Sequence, residues 1–205
     1  MEDGLMPKRQ LANKAAEDAV ANIGVMEDAD NDNHGKFIKV YLDSVGLDEG
    51  QPWCAAFAYF RYQQASKDTG VPLPTGFPKS GYVPDFVEWA KKTGRWVSVE
   101  SAKESIVNRP VAGDLLCFWF KAKDRHAHIG IVTGEADARG CWTVEGNTND
   151  GDPNTVERNG GGVYKRRRDW RTWGEFGGYI RMDAVKPEPA KTSPKKPQIQ
   201  GDKPA

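Results

Sequence analysis

Histidine and cysteine are scarce in this chain, three of each among 205 residues. Cys54, Cys117 and Cys141 are odd in number and widely spaced. They suggest no disulfide framework, and without a close pair they make a poor zinc site. The formal net charge is zero, so no overall positive field argues for a nucleic-acid partner. No apolar run approaches the length that spans a bilayer. The opening residues, Met1-Glu2-Asp3-Gly4-Leu5-Met6, are acidic and lack the apolar stretch of a secretory signal, so synthesis in the cytoplasm without a signal peptide is expected. No internal repeat is found. Asn159-Gly160-Gly161-Gly162 lacks the Gly-Lys-Ser/Thr ending of a phosphate loop and reads as a hairpin connection.

What the chain does have is a length suited to one domain with a good core, and aromatic mass to fill it, with seven Trp and eight Phe. Apolar spacing predicts helices over residues 11–24, 36–45, 52–67 and 84–92. Gly46 offers a left-handed cap to the second of these. Residues 69–84 carry repeated Gly and Pro and predict a long ordered loop. Beyond Gly94 the period changes to strands, expected near 114–120, 126–133, 140–146, 162–167 and 177–182. The first of these is apolar throughout, as in a sheet buried on both faces, which makes Cys117 a core residue. Residues 1–10 read as an extension. Residues 186–205, rich in Lys and Pro, cannot bury enough surface to offset chain entropy and are expected to be disordered. That tail is expected to be an inert solvated segment, with weak attraction to an anionic polymer or a linker to a partner as the alternatives.

The most informative stretch is Gln51-Pro52-Trp53-Cys54-Ala55-Ala56-Phe57. Pro52 suits the first position of a helix. Cys54 then lies in the first turn, where unpaired amides and the helix dipole favour a thiolate. The bland alternative is a small buried side chain. A thiol nucleophile also needs a base and a group to orient that base. The candidates lie downstream in His126-Ala127-His128-Ile129-Gly130-Ile131-Val132 and Thr143-Val144-Glu145-Gly146-Asn147. Alternation along a strand puts His126 with His128, and Glu145 with Asn147, each pair on one face. His34, the remaining histidine, lies in an acidic loop.

In order and spacing, these motifs, together with Ala112-Gly113-Asp114-Leu115-Leu116, resemble the CHAP domain. This is the cysteine, histidine-dependent amidohydrolase/peptidase branch of the papain-like NlpC/P60 group. The resemblance spans about residues 11–183. It implies an α+β fold with N-terminal helices packed on a central antiparallel sheet, and a catalytic domain over 11–185. It implies Cys54 as nucleophile and His128 as general base, the Ile-Gly-Ile-Val that follows His128 favouring it over His126. Glu145 would orient the imidazole, with Asn147 as a further polar member. Trp53, and Phe77 and Tyr82 in the long loop, are the expected substrate-binding residues. The implied substrate is an amide bond of bacterial peptidoglycan, cut by an amidase or a crosslink endopeptidase acting at the wall after release or delivery. A phage endolysin or particle enzyme, or an effector with a secretion-system partner, fits that reading, and the protein is expected to be monomeric. The alternatives are an amidase acting on a small γ-glutamyl-type substrate in the cytoplasm, and a non-catalytic wall-binding or particle component.

Two further signals are weaker. Asp28, Asp30 and Asp32 offer oxygens that suit calcium, but read from Asp30 the twelfth residue is Tyr41 rather than a bidentate acid. An acidic turn leading into the next helix is the expectation, with no cofactor and calcium as the lesser alternative. Lys165-Arg166-Arg167-Arg168 is basic enough to suggest a polyanion patch, but on a strand its side chains alternate between faces and the patch is diluted.

Overall fold

Small side chains let the helices lie close on the sheet. The computed structural model describes residues 6–28, 32–151 and 160–183. Helix α1 (Met6–Val20) begins inside the segment expected to be an extension. It buries Leu11, Ala12, Ala15, Ala16 and Ala19 and packs on α3 (Cys54–Thr69). Helix α2 (Lys36–Val45) ends, as expected, on Gly46 at φ 80°. Helix α4 (Val83–Lys92) opens with Pro84 in its first turn, where a missing N–H costs nothing.

A short strand β1 (Trp96–Ser98) and a one-and-a-half-turn helix α5 (Val99–Glu104) come next. Then come β2 (Leu115–Phe120), β3 (Arg125–Val132), β4 (Gly140–Thr148), β5 (Gly162–Asp169) and β6 (Gly178–Ile180). They form one antiparallel six-stranded sheet in the order β1-β6-β2-β3-β4-β5. The α+β architecture expected from the sequence is therefore present. Neither β1 nor α5 is expected from the sequence, since three and six residues are too few for a periodic signal.

Both faces of the sheet are covered, which explains the unbroken apolar run in β2. Leu115 and Cys117 join the core shared with α1, α2, α3 and α4. Leu116 and Phe118 join a second cluster with Val99, Ala102, Trp170, Trp173 and Tyr179. Two irregularities interrupt the alternation. Phe118 pairs with His128 but Trp119 pairs with His126, so Ala127 is an extra residue on β3. On β4 the register shifts between Glu145 and Thr148, where Asn147 takes a left-handed φ of 57°. The Lys/Pro-rich tail lies outside the described residues, as does Asn159 of the expected hairpin connection.

Candidate active site

Helix α3 starts two residues later than the sequence suggests. Pro52 precedes the helix, and Trp53 is the N-cap with non-helical φ −115° and ψ 11°. The first helical bond runs from the Phe57 amide to the Trp53 carbonyl at 2.8 Å. Cys54 is thus the first helical residue, at the positive end of the dipole. What holds Trp53 outside the helix is its indole, which donates to Glu27 Oε1 at 2.7 Å. The other oxygen of Glu27 accepts from the Asn33 amide at 2.8 Å. Asn33 Oδ1 accepts from Asn147 Nδ2 at 2.9 Å. One hydrogen-bonded chain therefore ties the start of the cysteine helix to the end of β4. Glu27 carries no motif that sequence reasoning would flag.

Cys54 is nearly buried, 3 % exposed, and lines a cleft of about 490 Å³ together with Leu47, Pro52, Tyr82, Arg125 and Ala127. Cys117 and Cys141 are buried, and burial pushes both thiols up, which leaves them inert.

His128 is fully buried. Its Nε2 lies 2.7 Å from Glu145 Oε2. Its Nδ1 is buried and makes no hydrogen bond to nitrogen or oxygen, so it is the nitrogen left to exchange a proton with Cys54. Burial works against a charged imidazole, but interaction with Cys54 and then Glu145 outweighs it and raises His128 to about 9. Burial likewise opposes ionisation of Glu145. The Arg168 guanidinium, helped by His128, overrides it and holds the carboxyl well below the usual range. Arg168 donates from Nε to Oε1 at 2.8 Å and from Nη2 to Oε2 at 2.6 Å. Thr143 Oγ1 adds a bond to Oε1 at 2.5 Å. Every oxygen of this buried carboxylate is engaged, as burial of a charge requires.

The extra residue at Ala127 separates the two histidines, which were expected to share a face. His126 sits edge-on between Trp96 and Trp119, each with its ring centre 5.1 Å away. Its Nε2 bonds the Phe176 carbonyl at 2.9 Å. Burial lowers it to about 4. His34 pairs with Asp32 in the acidic loop.

Of the expected substrate-binding residues, only Tyr82 faces the cleft, 47 % exposed. Trp53 has no exposed surface, and Phe77 packs among Tyr59, Tyr62, Phe86 and Trp89. Both therefore belong to the core rather than the groove, a difference the sequence does not carry because an aromatic side chain looks alike there whether it faces in or out. The run 165–168, read as a diluted basic patch, supplies Arg168, and no spacing in the sequence marks it. Calcium finds no support: no group of three or more His, Cys, Asp or Glu able to hold a metal exists among the described residues. Asp30 lies outside them. No helix among the described residues is long and apolar enough to cross a membrane.

Residues 46–147 match the family model of the CHAP domain. No curated protein and no solved structure matches the chain.

Proposed function

Residues 46–147 are a CHAP domain, a cysteine, histidine-dependent amidohydrolase/peptidase of the papain-like group, and on that premise we propose that this chain hydrolyses an amide bond of bacterial peptidoglycan. The observation that supports this best is the disposition of His128. One ring nitrogen is held by an ionised, buried Glu145. The other remains for the cysteine at the start of α3.

His128 takes the Cys54 proton at Nδ1, and the pair rests as thiolate and imidazolium. The sulfur attacks the amide carbonyl, and the Cys54 amide at the helix start donates to the developing oxyanion. The tetrahedral intermediate collapses to a thioester as His128 gives its proton to the leaving amine. His128 then deprotonates a water that attacks the thioester carbonyl, and the thiolate leaves. Glu145 moves no proton. It keeps the imidazole oriented and its charged form favourable.

The test is mass spectrometry of soluble products from purified sacculi treated with wild type and with Cys54→Ser. Stem peptides or opened crosslinks from wild type alone support the reading and name the bond. No release from several wall types by a folded, reduced protein overturns it. His128→Ala is expected to be as inactive as Cys54→Ser. His126→Gln, which keeps a donor for the Phe176 carbonyl, is expected to retain activity; the reverse ranking would move the base to His126.

A further inference from the structure

We propose that the cleft carries a carboxylate-binding subsite centred on Arg125, with Lys79 and Lys91 flanking it. This deepens the peptidoglycan reading and rests on it: the substrate is a peptide with a free carboxylate close to the scissile amide. Two cavities meet at Arg125. The first, of about 490 Å³, contains Cys54 and is lined by Lys79 and Tyr82. The second, of about 270 Å³, lies against α4 and is lined by Lys91, Glu88 and His126. Arg125 lines both.

The charge balance of this surface is one-sided. No carboxylate lines the first cavity among the described residues. Glu88, the one acid on the second, is held by Lys92 at 2.5 Å. Asp85, close by in sequence, accepts from Ser80. His126 adds no charge near neutral pH: burial, helped by the neighbouring Lys91, lowers it to about 4. Lys79, Arg125 and Lys91 have no carboxylate partner among the described residues. Because the whole chain has zero net charge, this positive strip is local to the cleft.

Arg125 is also pre-positioned. Its guanidinium lies over the Tyr82 ring, 4.9 Å from the centroid. Its Nη1 donates to the His126 carbonyl at 3.3 Å. A guanidinium held by a ring and a carbonyl loses little freedom on binding, and its planar fork matches a carboxylate at two points. Partial enclosure strengthens that pair over one in open water.

The experiment uses the full chain carrying Cys54→Ala, so that binding is read without turnover. Calorimetry compares a stem tetrapeptide bearing free carboxylates with the same peptide fully amidated. The free-carboxylate form is expected to bind at least about tenfold more tightly, with the preference falling as salt rises. Adding Arg125→Gln is expected to abolish the preference while leaving affinity for the amidated peptide unchanged. Arg125→Lys, which keeps charge without the fork, is expected to retain part of it. Equal binding of the two peptides, no binding of either, or a preference that survives Arg125→Gln would overturn the subsite. Sacculus digestion by wild type separates this from the broader reading. Cys54-dependent release with no carboxylate preference removes the subsite alone. A preference without any release keeps the subsite and removes the hydrolase.

Discussion

Arg168 grips both carboxylate oxygens of Glu145, at 2.8 and 2.6 Å, and neither side chain has any exposed surface. A buried carboxylate that must stay ionised beside an imidazole needs such a partner, because desolvation would otherwise neutralise it. On the proposed mechanism Arg168 is a positioning residue, acting through Glu145 on His128. The guanidinium also lies over the Phe118 ring, 5.2 Å from its centroid, which adds a second constraint on its orientation.

Truncating Arg168 leaves Glu145 buried without its main counter-charge. Arg168→Met is therefore expected to cost about 3–5 kcal/mol in urea unfolding. Arg168→Lys keeps the charge but not the two-point grip. Its kcat is expected to fall roughly 10–100-fold with KM unchanged, as for a misaligned catalytic group. A change in KM with kcat intact would point to a substrate contact instead.

The pH dependence follows from His128. An unperturbed imidazole titrates at 6.5, and His128 in the fold at about 9. Its contribution to stability is therefore complete below pH 6.5 and is lost as pH rises through 9. Glu145 is shifted the other way, so its contribution is present above 4.5 and is lost as pH falls toward its lower folded value. The alkaline limb of kcat/KM is expected near 9, where the imidazolium that protonates the leaving amine disappears. Glu145→Gln is expected to move that limb to lower pH. A limb that stays in place would detach Glu145 from His128.

Phe77 and Tyr82 are expected to behave oppositely. Phe77 meets Phe86 and Trp89 edge to face at 5.5 and 5.3 Å. Phe77→Ala is expected to cost about 3–5 kcal/mol of stability while leaving KM of the folded protein unchanged. Tyr82→Ala is expected to change stability by less than about 0.5 kcal/mol and to raise KM, because the ring beneath Arg125 is lost. Steady-state kinetics beside thermal melts separates the two effects.

Two glycines adjoin the site for reasons of space. A Cβ on Gly146 would strike the Trp53 ring and lie 2.9 Å from Phe57 Cβ, where α3 meets β4. A Cβ on Gly130 would lie 2.5 Å from Glu145 Cγ, whose side chain is clamped by His128 and Arg168. Each Gly→Ala change is expected to destabilise by about 1–3 kcal/mol. Gly130→Ala is also expected to lower kcat. Activity at the wild-type level in a stable Gly130→Ala protein would mean that Glu145 tolerates displacement.

By itself the sequence determined most of the local elements and marked the candidate nucleophile. Periodicity and caps located α2, α4 and strands β2 to β6, since those signals are carried by neighbouring residues. The Cys54, His128 and Glu145 motifs marked their own segments. Only the tertiary structure decided which side chains meet. A single extra residue at Ala127 turned His126 away from His128, and no local pattern announces a bulge because its register is set by the partner strand. Arg168 reaches Glu145 from a neighbouring strand 23 residues on, and Glu27 reaches Trp53 across 26. Such pairings depend on how strands and helices stack, a long-range property. The same holds for Phe77 and Trp53: a large aromatic ring is equally at home in a groove or in a core, and burial, settled by the whole fold, chose the core.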